Sequence, residues 1–543
     1  MKLDQLPEEL YSAILETIVD LGERKNGTIA LSRALPRSPV PWKWIYYEVR
    51  LTSAEGIMLL YQHLRRCGGV SSTQAQWVQS LVSTVWETDA QILADLVGLL
   101  SNLQKISLCV GTTFSPEHLD DMFQTPRPNL VSLDITFRPY VQKATYYQFL
   151  KGSYFDSLLI HLSNWPATSN LKYLSIVQTL PPSPTLFQSF AQPIVFFSLE
   201  PVSRLIHAPS LASTTHLRIQ IPARPIAQFL SVTSPSPSPS PTPSIHDLPA
   251  YLGSLLPQPL GRTSFLDLST THITSTHLPS LLARFPALTH LLVDGTSILP
   301  RSTEITGEFA ELGRLLATAG MKRVRERDRA IKELVVAMKA ARLATVNQLA
   351  ESSGTQASSS ASQVASKVKK GRRGVATAKF SLRDKPAPST PKVIAPDFGP
   401  AGLSISALEK IRILPPLTKL KSLCVTTFAP PTLELTHEWD DDFERGWREG
   451  VTVLAGARRR LESGVRMKLM SAWKFADEGE QLDGRGMGEL NGLVELSEEE
   501  WSEELERADL LGLNPPRLCF AGRQGEVSVP HVEGCAHGVS WDE

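Results

Sequence analysis

The sequence predicts an α/β fold in which N-terminal helices precede a row of strand-plus-helix units and an acidic region closes the chain. Three observations predict it. Residues 6–21 carry an apolar stripe at helical spacing. A short aliphatic phrase then returns along the chain at Leu103, Leu130, Leu171, Leu288 and Leu420. Helical stretches, Asp89–Leu100 and His277–Arg284, precede two of these phrases.

The first element opens Leu6-Pro7-Glu8-Glu9-Leu10. Proline suits a first helical turn because its missing N–H is unpaired there anyway. Glu8 and Glu9 complement the positive helix end. Leu6, Leu10, Ile14 and Ile18 recur every fourth residue, with Leu15 and Leu21 widening the stripe. Gly22 and Asn26-Gly27 are expected to end this helix, and a short second one is expected over Ile29–Leu35. Trp42–Leu51 is aromatic and partly strand-like, and Ser53-Ala54-Glu55 starts a helix over Ala54–Arg66.

The repeated phrase is Leu-x-x-Leu-x-Leu with aliphatic substitutes. It reads Leu103-x-x-Ile106-x-Leu108, Leu130-x-x-Leu133-x-Ile135, Leu171-x-x-Leu174-x-Ile176, Leu288-x-x-Leu291-x-Val293 and Leu420-x-x-Leu423-x-Val425. Weaker copies stand at Leu217-x-Ile219 and Leu266-x-Leu268, and Val78-x-x-Leu81 is a candidate first copy. Steps of 25 residues (78 to 103) and 27 (103 to 130) fit one strand, one helix and two turns. That length falls within the leucine-rich-repeat range of about 20–29 residues. Such units cannot bury their apolar edges alone, so neighbours are expected to stack into a curved parallel sheet with outer helices, an irregular leucine-rich-repeat solenoid. The pattern departs from the standard repeat: the Asn or Cys expected three residues after the last strand aliphatic is missing, and the step from 130 to 171 is 41 residues. An ordinary α/β domain with alternating strands and helices is the other reading.

The expected organisation is 1–66 for the N-terminal helices, 75–303 for the repeat array, 304–410 for a basic helical and disordered insertion, 411–430 for a last repeat strand, and 431–543 for an acidic capping region. Lys+Arg and Asp+Glu are both 55, so nothing in the total charge points to nucleic acid. The balance is only an average: residues 314–385 hold 17 basic side chains against five acidic, and residues 430–543 hold 12 against 25. Blocks of this kind mark interaction segments or solvated surfaces. Ser234–Ser244 alternates Ser or Thr with Pro and reads as an extended spacer open to proline-directed phosphorylation, as does Thr390-Pro391. Lys367, Lys369, Lys370, Arg372 and Arg373 form a candidate nuclear import signal; no aromatic residue interleaves them, so no base stacking is expected.

Signals for catalysis are poor. There is no phosphate-binding Gly-x-x-x-x-Gly-Lys-Ser/Thr, no Gly-x-Ser-x-Gly and no His-Glu-x-x-His. Gly484-Arg-Gly486-Met-Gly488 has no strand before it and reads as a loop. His531, Cys535 and His537 stand close enough to ligate zinc, with Cys519 as a fourth donor, but His-x-x-x-Cys-x-His matches no strong zinc pattern. The expectation is a surface tail, with no metal and no cofactor. Five scattered cysteines argue against a disulfide scaffold. No run of 18 apolar residues and no basic-then-apolar leader is found, so no membrane partner is expected and the expected compartment is cytosol or nucleus.

Leu6-Pro7-Glu8-Glu9-Leu10-x-x-x-Ile14-Leu15 resembles the first helix of the F-box, and Ile45–Gly56 looks like the segment joining the box to the repeats in many fungal F-box proteins with irregular leucine-rich repeats. The departure is Pro36–Trp44, which replaces the family's basic-aromatic stretch. The resemblance implies a non-catalytic substrate receptor of an SCF-type cullin ubiquitin ligase. Leu6, Pro7, Leu10, Ile14, Leu15 and Ile18 would face a Skp-type adaptor. Strand residues such as Ser107, Asp134, Thr136, Ser175, Arg218 and His290 would face an unidentified protein substrate. The alternative is a repeat scaffold without a ligase role, in which the first helix packs on the first repeat as a cap.

Overall fold

The structure, a computed structural model, describes residues 5–138, 154–179, 195–205, 208–231, 259–299, 307–353, 405–426, 433–476, 493–497, 499–504, 514–520 and 530–539. The Ser-Pro spacer, the Lys367–Arg373 cluster, Thr390 and the Gly484–Gly488 loop lie outside them.

The chain begins with α1 (Glu8–Glu16), α2 (Leu21–Ala34), α3 (Lys43–Tyr47), β1 (Glu48–Leu51) and α4 (Ala54–Arg66). The first helix therefore ends at Glu16, short of the expected Leu21, and the second starts at Leu21 instead of the expected Ile29. α1 stops at Thr17, whose hydroxyl donates back to the carbonyl of Ile14. Asp20 then starts α2 by accepting from the backbone N–H of Glu23 at 2.6 Å. Gly22 and Gly27 fall inside α2 rather than ending a helix. Leu15 and Ile18 of the preceding segment pack against α2 at Gly27, at distances where a Cβ would make ordinary contact. α4 has the expected bounds, with Ser53 accepting from Gly56 N–H at 3.1 Å.

Eight strands follow in the same direction as β1: β2 (Ser80–Ser83), β3 (Lys105–Val110), β4 (Ser132–Phe137), β5 (Tyr173–Gln178), β6 (His216–Gln220), β7 (Phe265–Asp267), β8 (His290–Leu292) and, later, β10 (Ser422–Cys424). β13 (Arg517–Cys519) completes a ten-stranded sheet whose neighbours follow one another in chain order, every pair parallel. Helices fill the crossovers, among them α5 (Ala90–Leu99, started by Asp89), α6 (Pro116–Phe123), α7 (Asp156–Asn164) and α8 (Leu278–Arg284). The repeated aliphatics fall in one register row. Val49, Leu81, Ile106, Leu133, Leu174, Leu217, Leu266, Leu291, Leu423 and Leu518 are successive partners across the sheet. From Leu81 onward all are buried, in one core that also holds the apolar faces of the crossover helices. Each such side chain contributes about 1.5–3 kcal/mol of transfer free energy. Since strand side chains alternate, the next residues in each strand occupy the opposite face.

Two boundaries differ from the expectation. The sheet starts at Glu48, before the expected array at 75. The 304–410 segment is also built into the fold where it is described. Within it, α9 (Glu308–Ala317) lies against α11 (Leu433–Arg466), and Phe309, Leu312 and Leu316 belong to the main core with Trp439, Phe443 and Trp447. The helix axes approach closely because Gly446 and Gly313 have no side chain. A Cβ on Gly446 would run into the carbonyl of Ala310, and one on Gly313 into that of Phe443. α10 (Ala319–Ser353) supports a second sheet of β9 (Ile411–Ile413), β11 (Ser471–Phe475) and β12 (Leu493–Glu495), ordered β12-β11-β9. Val324, Ile331, Leu334 and Met338 pack there with Ile411, Ile413, Trp473 and Leu493. The expected last repeat at 411–430 is thus divided: β9 joins the small sheet and β10 the large one. No helix among the described residues is long and apolar enough to cross a membrane.

Candidate functional site

Three places bear on function: the first helices, the sheet face opposite the aliphatic row, and the last described segment. α1 packs on α2, and its buried Tyr11 and Leu15 lie outside the main core. Leu10 is 44% exposed, Ile14 46% and Val19 90%, while Leu15 is 1% exposed. Of the six residues assigned to an adaptor, Leu10, Ile14 and Pro7 are at the surface and Leu6 and Ile18 are half-buried. Leu15 is the correction. It faces α2, because the break after Glu16 folds α2 back over that side of α1. Arg24 ties the join, donating from Nε to the Ile18 carbonyl at 3.0 Å with its guanidinium 4.7 Å from the Trp44 ring. Trp42, in the stretch that departs from the F-box pattern, is also exposed.

On the opposite sheet face one register row reads Arg50, Val82, Ser107, Asp134, Ser175, Arg218, Asp267, Leu292, Cys424, Cys519. Ser107 donates to Asp134 at 2.9 Å. Arg218 donates to Asp267 at 3.2 Å, and Gln220 and the Ser269 N–H and hydroxyl donate to the same carboxylate, which is fully buried. These bonds satisfy a charge that could not otherwise be buried, so Arg218 holds the face together. Ser175 is 2% exposed and out of a partner's reach; the alternation that placed it on this face says nothing of what lies over it. Thr136 stays partly open. The neighbouring row places Tyr173, His216, Phe265 and His290 side by side, with ring centroids 4.7, 5.4 and 6.4 Å apart. Burial first, then His290, lowers the pKa of His216; burial first, then Lys421, lowers that of His290. The ladder is therefore neutral and aromatic in character at neutral pH.

In the groove beside α6 and α7, Asp156 accepts from the N–H groups of Phe197 and Ser198 at 2.8 Å each, and Asp120 stands 3.2 Å from His161. No nucleophile–base–orienter set is assembled there among the described residues.

The last segment corrects the expectation of a surface tail. Residues 530–539 return to the sheet, where Cys535 and Ala536 pack with Phe265, Leu292, Cys424 and Cys519. Gly534, with φ 73°, makes the turn that closes Cys535 N–H onto the Val532 carbonyl. Cys519, His531, Cys535 and His537 come together, against the expectation of a surface tail, and Cys424 joins them. Cys424 carries no signal in the sequence, being 95 residues from Cys519; only the pairing of β10 with β13 sets the two side by side. Sγ of Cys519 lies 3.5 Å from Nδ1 of His537 and 3.6 Å from Nδ1 of His531. Sγ of Cys535 lies 3.9 and 3.8 Å from the same atoms. Nε2 of His537 is 2.6 Å from Oδ2 of Asp294. Hydrogen bonds from Cys424, then from His537, hold the Cys519 thiol well below its ordinary pKa against the opposing effect of burial. Burial works to lower the pKa of His537, but Asp294 and Cys519 outweigh it and raise the value to about 10.

No protein-family model matches the chain, and no curated protein matches it by sequence.

Proposed function

We propose that the chain is a non-catalytic substrate receptor of an SCF-type cullin ubiquitin ligase. The first helix pair docks on a Skp-type adaptor, and the polar face of a leucine-rich-repeat-like sheet receives a protein target. The observation that carries this reading is the exposure of Leu10 and Ile14 on a helix that packs on α2 outside the main core. An apolar stripe left open at helical spacing is the feature a helix-in-groove contact requires. It also speaks against the cap reading, in which the same stripe would be covered by the first repeat. The face bearing Ser107, Asp134 and Thr136, with the half-buried rings of Tyr173, His216 and His290, offers hydrogen bonds and some aromatic area together, the mixture that interface centres favour. Acting by proximity, such a receptor raises the effective concentration of its target beside the ligase. In this reading the receptor works in the cytosol or nucleus, where such ligases act on their targets.

The test is a pull-down of the full chain with purified Skp-type adaptor, wild type against Leu10→Asp/Ile14→Asp. The expected outcome is capture by wild type and loss of capture by a double variant with an unchanged circular dichroism spectrum. A wild-type chain that captures no adaptor would leave a repeat scaffold without a ligase role.

A further inference from the structure

We propose that this chain binds one zinc ion through Cys424, Cys519, Cys535 and His537, and that the ion fastens residues 530–539 to the polar face of the sheet. The ligand atoms of these four residues all lie within 4.8 Å of one another. A thiolate about 2.3 Å and an imidazole nitrogen about 2.0–2.1 Å from a tetrahedral ion stand about 3.5–3.6 Å apart. Nδ1 of His537 is 3.5 Å from Cys519 Sγ and 3.9 Å from Cys535 Sγ, each within a few tenths of an ångström of that separation. Three sulfurs and one imidazole select zinc over the hard, oxygen-seeking cations.

The surroundings fit a structural ion. All three cysteines are buried, which gives a closed site with no open coordination position. Asp294 accepts from Nε2 of His537, the carboxylate support that metal-bound histidines receive, and so leaves Nδ1 as the ligating nitrogen. His531, exposed at the rim, is a fifth donor within 3.6–3.8 Å of two of the sulfurs. It lies on the solvent side, where an entering ion would be met first. The four ligands come from β10, β13 and the turn at 535–537, so one ion would join β10 to two stretches 95 and more residues further along the chain. This proposal does not rest on the receptor reading.

The experiment uses the full chain, purified without chelators, with metal content read by plasma mass spectrometry and with cobalt substituted for zinc. One zinc per chain is expected, together with tetrahedral cobalt bands and a thiolate-to-cobalt charge-transfer band. Cys424→Ser should lower that band by about a third, and His531→Ala should leave it unchanged. Asp294→Asn, which keeps every ligand, should weaken metal affinity by about 10–100-fold. A wild-type chain that carries no metal and takes up none on titration overturns the site. So does a disulfide between any two of the three cysteines in the purified chain. Full band intensity in Cys424→Ser with loss of metal in His531→Ala overturns the ligand set in favour of two sulfurs and two imidazoles.

Discussion

At its β1 edge the large sheet is followed outward by small helices. α1 to α3 bury little beyond Tyr11 and Leu15 and leave Leu10, Ile14 and Val19 at the surface. At its β13 edge the same sheet meets a dense cluster. Phe309, Trp439, Phe443 and Phe520 belong to the main core there, Gly446 lets α11 touch α9, and the Cys/His segment closes over Cys424 and Cys519. The two ends differ in how much they commit to the common core: one buries two large side chains apart from it, the other buries an aromatic cluster within it while Leu433, Leu435 and Val453 of α11 stay exposed.

Substitutions can break that comparison. Leu423→Ala, in the fully buried row beside the β13 edge, is expected to destabilise by about 2–5 kcal/mol, the cost of lost transfer energy plus a cavity. Urea unfolding followed by circular dichroism reads it. Gly446→Ala forces a methyl group against the Ala310 carbonyl and should cost about 1–3 kcal/mol. An unchanged midpoint would mean that α9 and α11 are not held at this distance in solution. Ser53→Ala removes the hydroxyl that starts α4, with an expected loss of about 1 kcal/mol. Leu10→Asp, at the exposed edge, should shift stability by no more than about 0.5 kcal/mol while weakening adaptor capture. If it destabilises as much as Leu423→Ala, the first helix is part of the core and the contrast between the two edges is lost.

The sequence was most readable where period and burial coincide. Leu103, Leu130, Leu171 and Leu288 announced β3, β4, β5 and β8 because the buried face of a strand needs aliphatics at alternate positions. Glu48–Leu51 falls in a stretch that reads as partly strand-like but stands outside the expected array, and Arg517-Leu-Cys has too few aliphatics to show a period; their neighbours in the sheet make both of them its edge strands. The break in the first helix depended on Thr17 and Asp20 acting as local hydrogen-bonding groups inside a pattern that otherwise ran on. The Leu10 and Ile14 stripe could be found from spacing; which side of it stays open could not, since Leu15 belongs to the same stripe. Cys519, Cys535 and His537 are visible as a close-spaced set of donor types, but their spacing matches no strong pattern and reads as a surface tail. Cys424 does not show as a member of that set, because nothing in its local sequence links it to a strand 95 residues away.

β8 and β10 lie side by side although His290 and Ser422, bonded to each other, are 132 residues apart, whereas Ser264 and Thr289 at the β7–β8 step are 25 apart. Closing the longer loop costs about 1.5 kcal/mol more in chain entropy than closing the shorter one. The first eight strands can therefore assemble by short-range steps as the chain emerges from the ribosome. The last two must wait until more than a hundred further residues have been made. Until then β8 is a temporary edge, with its backbone N–H and C=O groups unpaired and Leu291 uncovered on one side. A chain stopped between residues 300 and 420 would keep that edge for good, and would be expected to associate with other chains through it rather than remain a smaller version of the same protein.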